Sequence, residues 1–164
     1  MSDEAKFFPR IEGTALRRED DRGYLEILYE SPTAVLKRSF TRKGCFRGLH
    51  WQDETAPQVK IFRIVSGAIA DFAVPMDDPA KPIHYSIVRP EDGWIRVDAN
   101  LAHGLYAIED AIFEYFCDGG YDEASEKAFS ITDHIKKVLG VDEVILSPKD
   151  QAAAPLEAVR EGAR

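Results

Sequence analysis

The sequence predicts an all-β domain, a double-sheet sandwich or closed barrel, with a short helical C-terminal segment. Three observations point there. From about residue 24 to residue 117 the apolar residues fall in short β-rich runs broken by turn residues at close intervals. Helical periodicity is nearly absent from that stretch, and after residue 130 the pattern changes to helical spacing. The 164 residues suit one domain, taken as residues 1–164. A domain of that size buries enough surface to fold without a disulfide framework or a structural metal.

The expected strands are Tyr24 to Tyr29, Cys45 to Gln52, Val59 to Ser66, Ala68 to Val74, His84 to Val88, Trp94 to Val97, Gly104 to Ile108 and Ala111 to Cys117. Pro79, Pro82, Pro90 and Asp92-Gly93 punctuate the middle. Asp133 is the expected N-cap of a helix carrying Ile135, Val138 and Leu139, with Gly140 at its C′ position. Ala152 to Gly162, with Pro155 near its start, forms either another helix or a loose tail.

Twenty-one Lys and Arg against 29 Asp and Glu leave a net charge of -8, which argues against a general nucleic-acid or anionic-membrane surface. Met1-Ser2-Asp3-Glu4-Ala5-Lys6 leads into no signal-peptide stretch, and no later segment approaches the roughly 20 apolar residues of a membrane span. Cys45 and Cys117 lack the spacing of a disulfide framework or a zinc site, so a reducing, cytoplasmic setting is expected. Charge is uneven, however. Lys37, Arg38, Arg42, Lys43, Arg47, Lys60 and Arg63 share their window with only Asp53 and Glu54. One basic window in an acidic chain suits a phosphorylated small molecule; a solvated strand edge is the alternative.

Ser66-Gly67 reads as a tight hairpin turn. Such a turn sets Phe62 opposite Asp71 and Lys60 opposite Ala73, leaving Lys60 and Asp71 as diagonal neighbours about 7 to 8 Å apart on one face. In a regular strand Arg47 and His50 face opposite ways, so sharing a site demands an irregularity, for which Gly48 is the natural place. A three-residue loop at Ile108-Glu109-Asp110 would pair His103 with Tyr115, whereas a two-residue loop would set them on opposite faces; both stay open. A His-x-His metal pair fails because Gln52 follows His50, and His84 and His134 have no evident partner ligand. No metal site is expected.

Six segments together resemble the dTDP-4-dehydrorhamnose 3,5-epimerase family: Phe46-Arg47-Gly48-Leu49-His50-Trp51-Gln52, Gln58-x-Lys60, Gly67-x-Ile69-x-Asp71, Ala102-His103-Gly104, Phe113-x-Tyr115 and Leu146-Ser147-x-Lys149-Asp150. The match runs from Asp20 to Asp150. The resemblance implies a cupin-like antiparallel jelly roll, a homodimer, and an activity without cofactor on a nucleotide-diphosphate 4-keto-6-deoxyhexose. It implies His50 as base, oriented by Asp150; Lys60 as stabiliser of the enolate, with Asp71 beside it; and Tyr115 as acid. Arg22, Glu26, Arg47, Gln52, His103, Tyr121, Glu126 and Lys149 are the implied substrate-binding residues, Tyr121 by stacking on the base. The residue types suit the chemistry, because a C–H beside a ketone is acidic only when the developing oxyanion is stabilised, as a fixed ammonium can do.

The chain also departs from the family pattern. Val35 and Lys37 stand where a Gln-x-Asn pair is usual, Phe116 replaces a lysine, Asp98-Ala99-Asn100 replaces Pro-x-Gly, and Glu26 comes one residue early. Inversion at C3, at C5 or at both carbons fits the set. Other readings are a non-catalytic nucleotide-sugar-binding homologue, a 3,4-ketoisomerase on the same fold and a metal-dependent cupin oxygenase.

Overall fold

The computed structural model describes residues 16–78 and 81–158. Met1 to Lys6, Pro79 and the end of the Ala152 to Gly162 stretch lie outside the described residues. The strands are β1 (Leu16–Asp20), β2 (Gly23–Ser31), β3 (Ala34–Thr41), β4 (Phe46–Gln52), β5 (Val59–Ser66), β6 (Ile69–Pro75), β7 (His84–Val88), β8 (Ile95–Val97), β9 (Leu101–Ala107), β10 (Ala111–Asp118), β11 (Glu126–Ser130) and β12 (Ala154–Pro155). Two helices follow the main strands, α1 (Thr132–Leu139) before α2 (Pro148–Gln151).

A front sheet has the order β1-β2-β3-β10-β5-β8 and a back sheet the order β12-β11-β4-β9-β6-β7. Pairing is antiparallel except for the two-residue contact of β11 with β12. Between β3 and β11 the chain changes sheet at every connection except β6 to β7. That alternation is the expected jelly roll, and it sets the register of the site.

Two apolar layers hold the sheets. Phe62, Ile64 and Phe113 from the front meet Ile69, Val88 and Leu105 from the back, forming the core between them. The other face of the back sheet presents Phe46, Ala70, Phe72, Val74 and Tyr106 to Ile131 and Ile135 at α1 and to Leu156. Burial on both faces explains why β6 reads as almost continuously apolar. Each large apolar side chain so buried contributes about 1.5–3 kcal/mol.

Several expectations are corrected. Ser66-Gly67 closes no hairpin: β5 lies in the front sheet and β6 in the back, so Lys60 and Asp71 face each other across the sandwich. His103 and Tyr115 likewise belong to opposite sheets, and neither cross-strand alternative holds. Alternation along a strand says which face a residue takes, not which strand lies beside it. The cap of α1 is Ile131, without a side-chain bond, while Asp133 lies inside the first turn beside the positive helix end. Gly140 ends the helix in the left-handed conformation, its N–H donating to the Lys136 carbonyl. Ala152 to Gly162 is neither wholly helix nor tail: Ala154–Pro155 pairs with β11, and 156–158 is helical.

Gly67 makes the β5 to β6 crossing possible, with φ of +81° and a position where a Cβ would lie 2.1 Å from the Asp110 carbonyl oxygen. Gly93 shares the positive φ, at +72°, but has open space around it. Gly67→Ala is therefore expected to destabilise the fold by more than about 2 kcal/mol, and Gly93→Ala by about 1 kcal/mol. Urea unfolding of both variants measures the difference.

Candidate active site

One irregularity brings the site together. Between β4 and β9, Arg47 sits opposite Leu105 and His50 opposite His103, so Gly48 and Leu49 of one strand stand against Gly104 alone of the other. The extra residue turns both Arg47 and His50 inward, as the spacing around Gly48 anticipates. Gly48 takes φ +132°, and a Cβ there would lie 2.6 Å from the Gly104 Cα. Two glycines thus let the strands touch backbone to backbone.

The inward side chains meet in one cavity between the sheets. The back sheet supplies Arg47, His50 and His103; the front sheet supplies Lys60 and Tyr115 over an apolar floor that includes Phe62. His50 Nε2 is 2.7 Å from Asp150 Oδ1, and Arg22 Nη1 donates to Asp150 Oδ2 at 3.1 Å. Asp150 is 2% exposed. Burial pushes its pKa up, but the His50 bond and charge, the Ser147 bond and the Arg22 charge outweigh it and hold the carboxyl below its ordinary range. An ionised Asp150 accepts from Nε2–H, which leaves the imidazole lone pair on Nδ1.

Lys60 is opposite Cys117 of β10 and Val97 of β8. Burial draws its pKa down, while Cys117, Glu126 and Asp71 act in the opposite direction. Tyr115, opposite Phe62 on β5 and Lys37 on β3, has its pKa raised, chiefly by burial, and so keeps its proton. Asp71 accepts from or shares a proton with His103 Nε2 at 2.5 Å rather than meeting Lys60 directly. Arg47 donates to Thr41 Oγ1 at 2.7 Å and to the Phe40 carbonyl at 3.2 Å.

At the rim, Tyr121 Oη donates to Glu126 Oε2 at 3.1 Å, and Lys149 Nζ pairs with the same carboxylate. Burial and Glu126 push the Tyr121 phenol up to about 12. Arg22 is held by Asp20 as well as Asp150 and braces the dyad. One implied substrate contact lies elsewhere, and another, Gln52, is held by backbone groups beside the site. Glu26 points to the outer face of the front sheet, opposite Arg17 on β1 and Arg38 on β3, because a residue placed one position early faces the other way. Gln52 spends its amide on the Ala56 and Gly120 carbonyls and on Asp122 N–H, fixing the segment that carries Tyr121.

Sequence reasoning missed three supports. Thr41 holds Arg47, Gln58 binds the Gly119 and Gly120 carbonyls, and Ser147 caps α2 by accepting from Asp150 N–H at 3.1 Å. Ser147-Pro148-x-Asp150 carries a readable signal, a capping residue with proline at the first helical position and an acid three residues on. Among the described residues no group of three or more His, Cys, Asp or Glu side chains is placed to hold a metal ion.

A jelly roll that sets an oriented imidazole on one sheet against a half-buried phenol and a half-buried ammonium on the other defines a proton-transfer site. The family model for dTDP-4-dehydrorhamnose 3,5-epimerase matches residues 13–158, and the chain belongs to that family. A dTDP-4-dehydrorhamnose 3,5-epimerase of Streptomyces griseus is 29% identical over 151 residues, 82% of this chain and 76% of the relative. The crystal structure of the enzyme of that name from Sulfolobus tokodaii is similar at 29% identity and a TM-score of 0.66, covering 86% of each chain. A dTDP-6-deoxy-D-glucose-3,5-epimerase from Legionella pneumophila, solved with dTDP-4-keto-L-rhamnose, is similar at 25% identity and a TM-score of 0.60 over 88% of this chain and 86% of that one.

The depressed Asp150 pKa links the site to acid stability. Its folded value lies below the ordinary 3.8, so its contribution is full above that pH and is lost as pH falls through the folded value. In Asp150→Asn the fall of Tm below about pH 4 is expected to be shallower than in the parent protein, by calorimetry from about pH 5 down to about pH 2.

Proposed function

We propose that the protein is an isomerase that inverts C3, C5 or both of a nucleotide-linked 4-keto-6-deoxyhexose, acting as a cytoplasmic homodimer. The observation that carries this reading is the opposition of His50 and Tyr115, on facing sheets and around one cavity, with Lys60 between the same walls. Epimerisation needs a proton removed from one face of a carbon and returned on the other, and base and acid on opposite walls meet that need.

In this reading His50 Nδ1 takes the proton from the carbon beside the C4 ketone. The C–H electron pair forms the enolate double bond, and the carbonyl pair moves onto oxygen. Lys60 stabilises that oxyanion with its fixed positive charge. Asp150 stabilises the imidazolium that forms. Tyr115, which holds its proton because burial raises its pKa, delivers it to the opposite face. The tyrosinate and the imidazolium then return to their starting states by exchange with solvent. Arg47, half-buried and without a carboxylate partner among the described residues, suits the diphosphate, whereas Arg38 and Arg63 of the basic window pair with Glu114 on the outer face of the sheet.

Turnover in heavy water with dTDP-, UDP-, CDP- and GDP-linked 4-keto-6-deoxyhexoses tests the reading, since inversion washes deuterium into C3 or C5. His50→Ala is expected to lower exchange by about a hundredfold or more at both carbons. Tyr115→Phe is expected to retain exchange and lose inversion. No exchange with any of the four substrates, or near-normal turnover by His50→Ala, would contradict the proposal.

A further inference from the structure

Lys37 lies on the inward face of β3, opposite Tyr115 of β10 and Ile27 of β2. Its ammonium is 5.6 Å from the Tyr115 ring centroid and 5.5 Å from that of Tyr121. It therefore stands between a cavity wall and the aromatic ring at the rim. Two π faces can attract an ammonium, but they leave its hydrogen-bond donors unspent. The charges on the outer face of the same sheet behave differently. There Arg17 and Glu26 pair, as do Arg38 and Arg63 with Glu114. Inside, no carboxylate forms an ion pair with Lys37, Arg47 or Lys60 among the described residues, although the chain carries 29 Asp and Glu.

The two inward lysines also feel one another. Besides burial, which acts first, the Lys37 charge lowers the Lys60 pKa, and both lysines act on Cys117. Lys37 and Lys60 repel as like charges, although Glu126 and Asp71 act on Lys60 in the opposite sense. A ligand carrying two negative charges relieves that repulsion as well as attracting each cation, so its gain over a singly charged ligand is steep. Lys37 stands where the resembled family usually carries a neutral amide.

We infer that Lys37 is a specificity residue that, with Arg47, reads the diphosphate of the substrate, so that affinity depends on phosphate charge more steeply than a neutral amide would allow. This rests on the function proposed above, and it concerns binding rather than proton transfer.

Calorimetric titration of the full chain with thymidine, dTMP and dTDP tests it, using the parent protein, Lys37→Met and Lys37→Arg. The parent is expected to bind dTDP tightest. Lys37→Met should weaken dTDP about tenfold, leave thymidine within about twofold, and lose most of that penalty at roughly 0.5 M salt. Lys37→Arg, which keeps the charge, should retain most of the dTDP affinity. In turnover, Lys37→Met should raise KM at nearly constant kcat, the pattern of lost uniform binding. Matching melting curves of the Met and Arg variants would show that the fold is kept. Equal dTDP affinity in the parent and Lys37→Met overturns the assignment of Lys37 alone. Failure of the parent protein to bind dTDP, UDP, CDP or GDP overturns the proposed function and this inference with it.

Discussion

The buried carboxylate of Asp150 is the interaction on which the rest of the site depends. It joins three distant parts of the chain: His50 on β4, Arg22 just before β2, and the Ser147 cap of α2. An isolated carboxylate in this position would cost several kcal/mol of desolvation. Here each oxygen has a partner and the backbone N–H is capped, so the charge persists and fixes the imidazole. Loss of Asp150 would leave Arg22 half-paired and His50 free to turn. The short helix α2 matters for that reason: it is a four-residue support that brings one acid to the back of the base.

The sheets supply what the dyad cannot, which is opposition. A jelly roll sends successive strands to alternate sheets, so residues close in sequence end on facing walls. His103 and Tyr115 are such a pair. Along β10 the inward row passes from Phe113 beside Ile64, through Tyr115 beside Phe62, to Cys117 beside Lys60. The interior therefore grades from apolar core to charged cavity within five residues. Burial at the closed end holds Tyr115 protonated, and the opposite end gathers the cations that suit an anionic substrate. Packing and chemistry are two ends of the same strands.

The sequence made strands legible where alternation had an apolar core to face. β4, β5, β6 and β10 match their predicted runs closely. β1, β3 and β11 escaped because LRRED is wholly exposed, β3 was absorbed into the basic window, and EKAFS has one fully buried side chain. Pairing partners were not legible, since a crossing turn such as Ser66-Gly67 and a hairpin carry the same residues. The bulge at Gly48 was legible from the demand that Arg47 and His50 share a site. Most of the remaining site residues came from resemblance, and it misled where one position changed the geometry: Glu26 by a one-residue slip, Gln52 because nearby carbonyls consume its amide.

The central claim is that Asp150 fixes His50 as the tautomer with its lone pair on Nδ1. Nitrogen-15 NMR of histidine-labelled protein, followed on the alkaline side of the imidazole titration where the ring is neutral and with His50 assigned by the loss of its signals in His50→Gln, reads that state directly. The account predicts a protonated, pyrrole-type Nε2 and an unprotonated, pyridine-type Nδ1. A protonated Nδ1 with a bare Nε2 would contradict it.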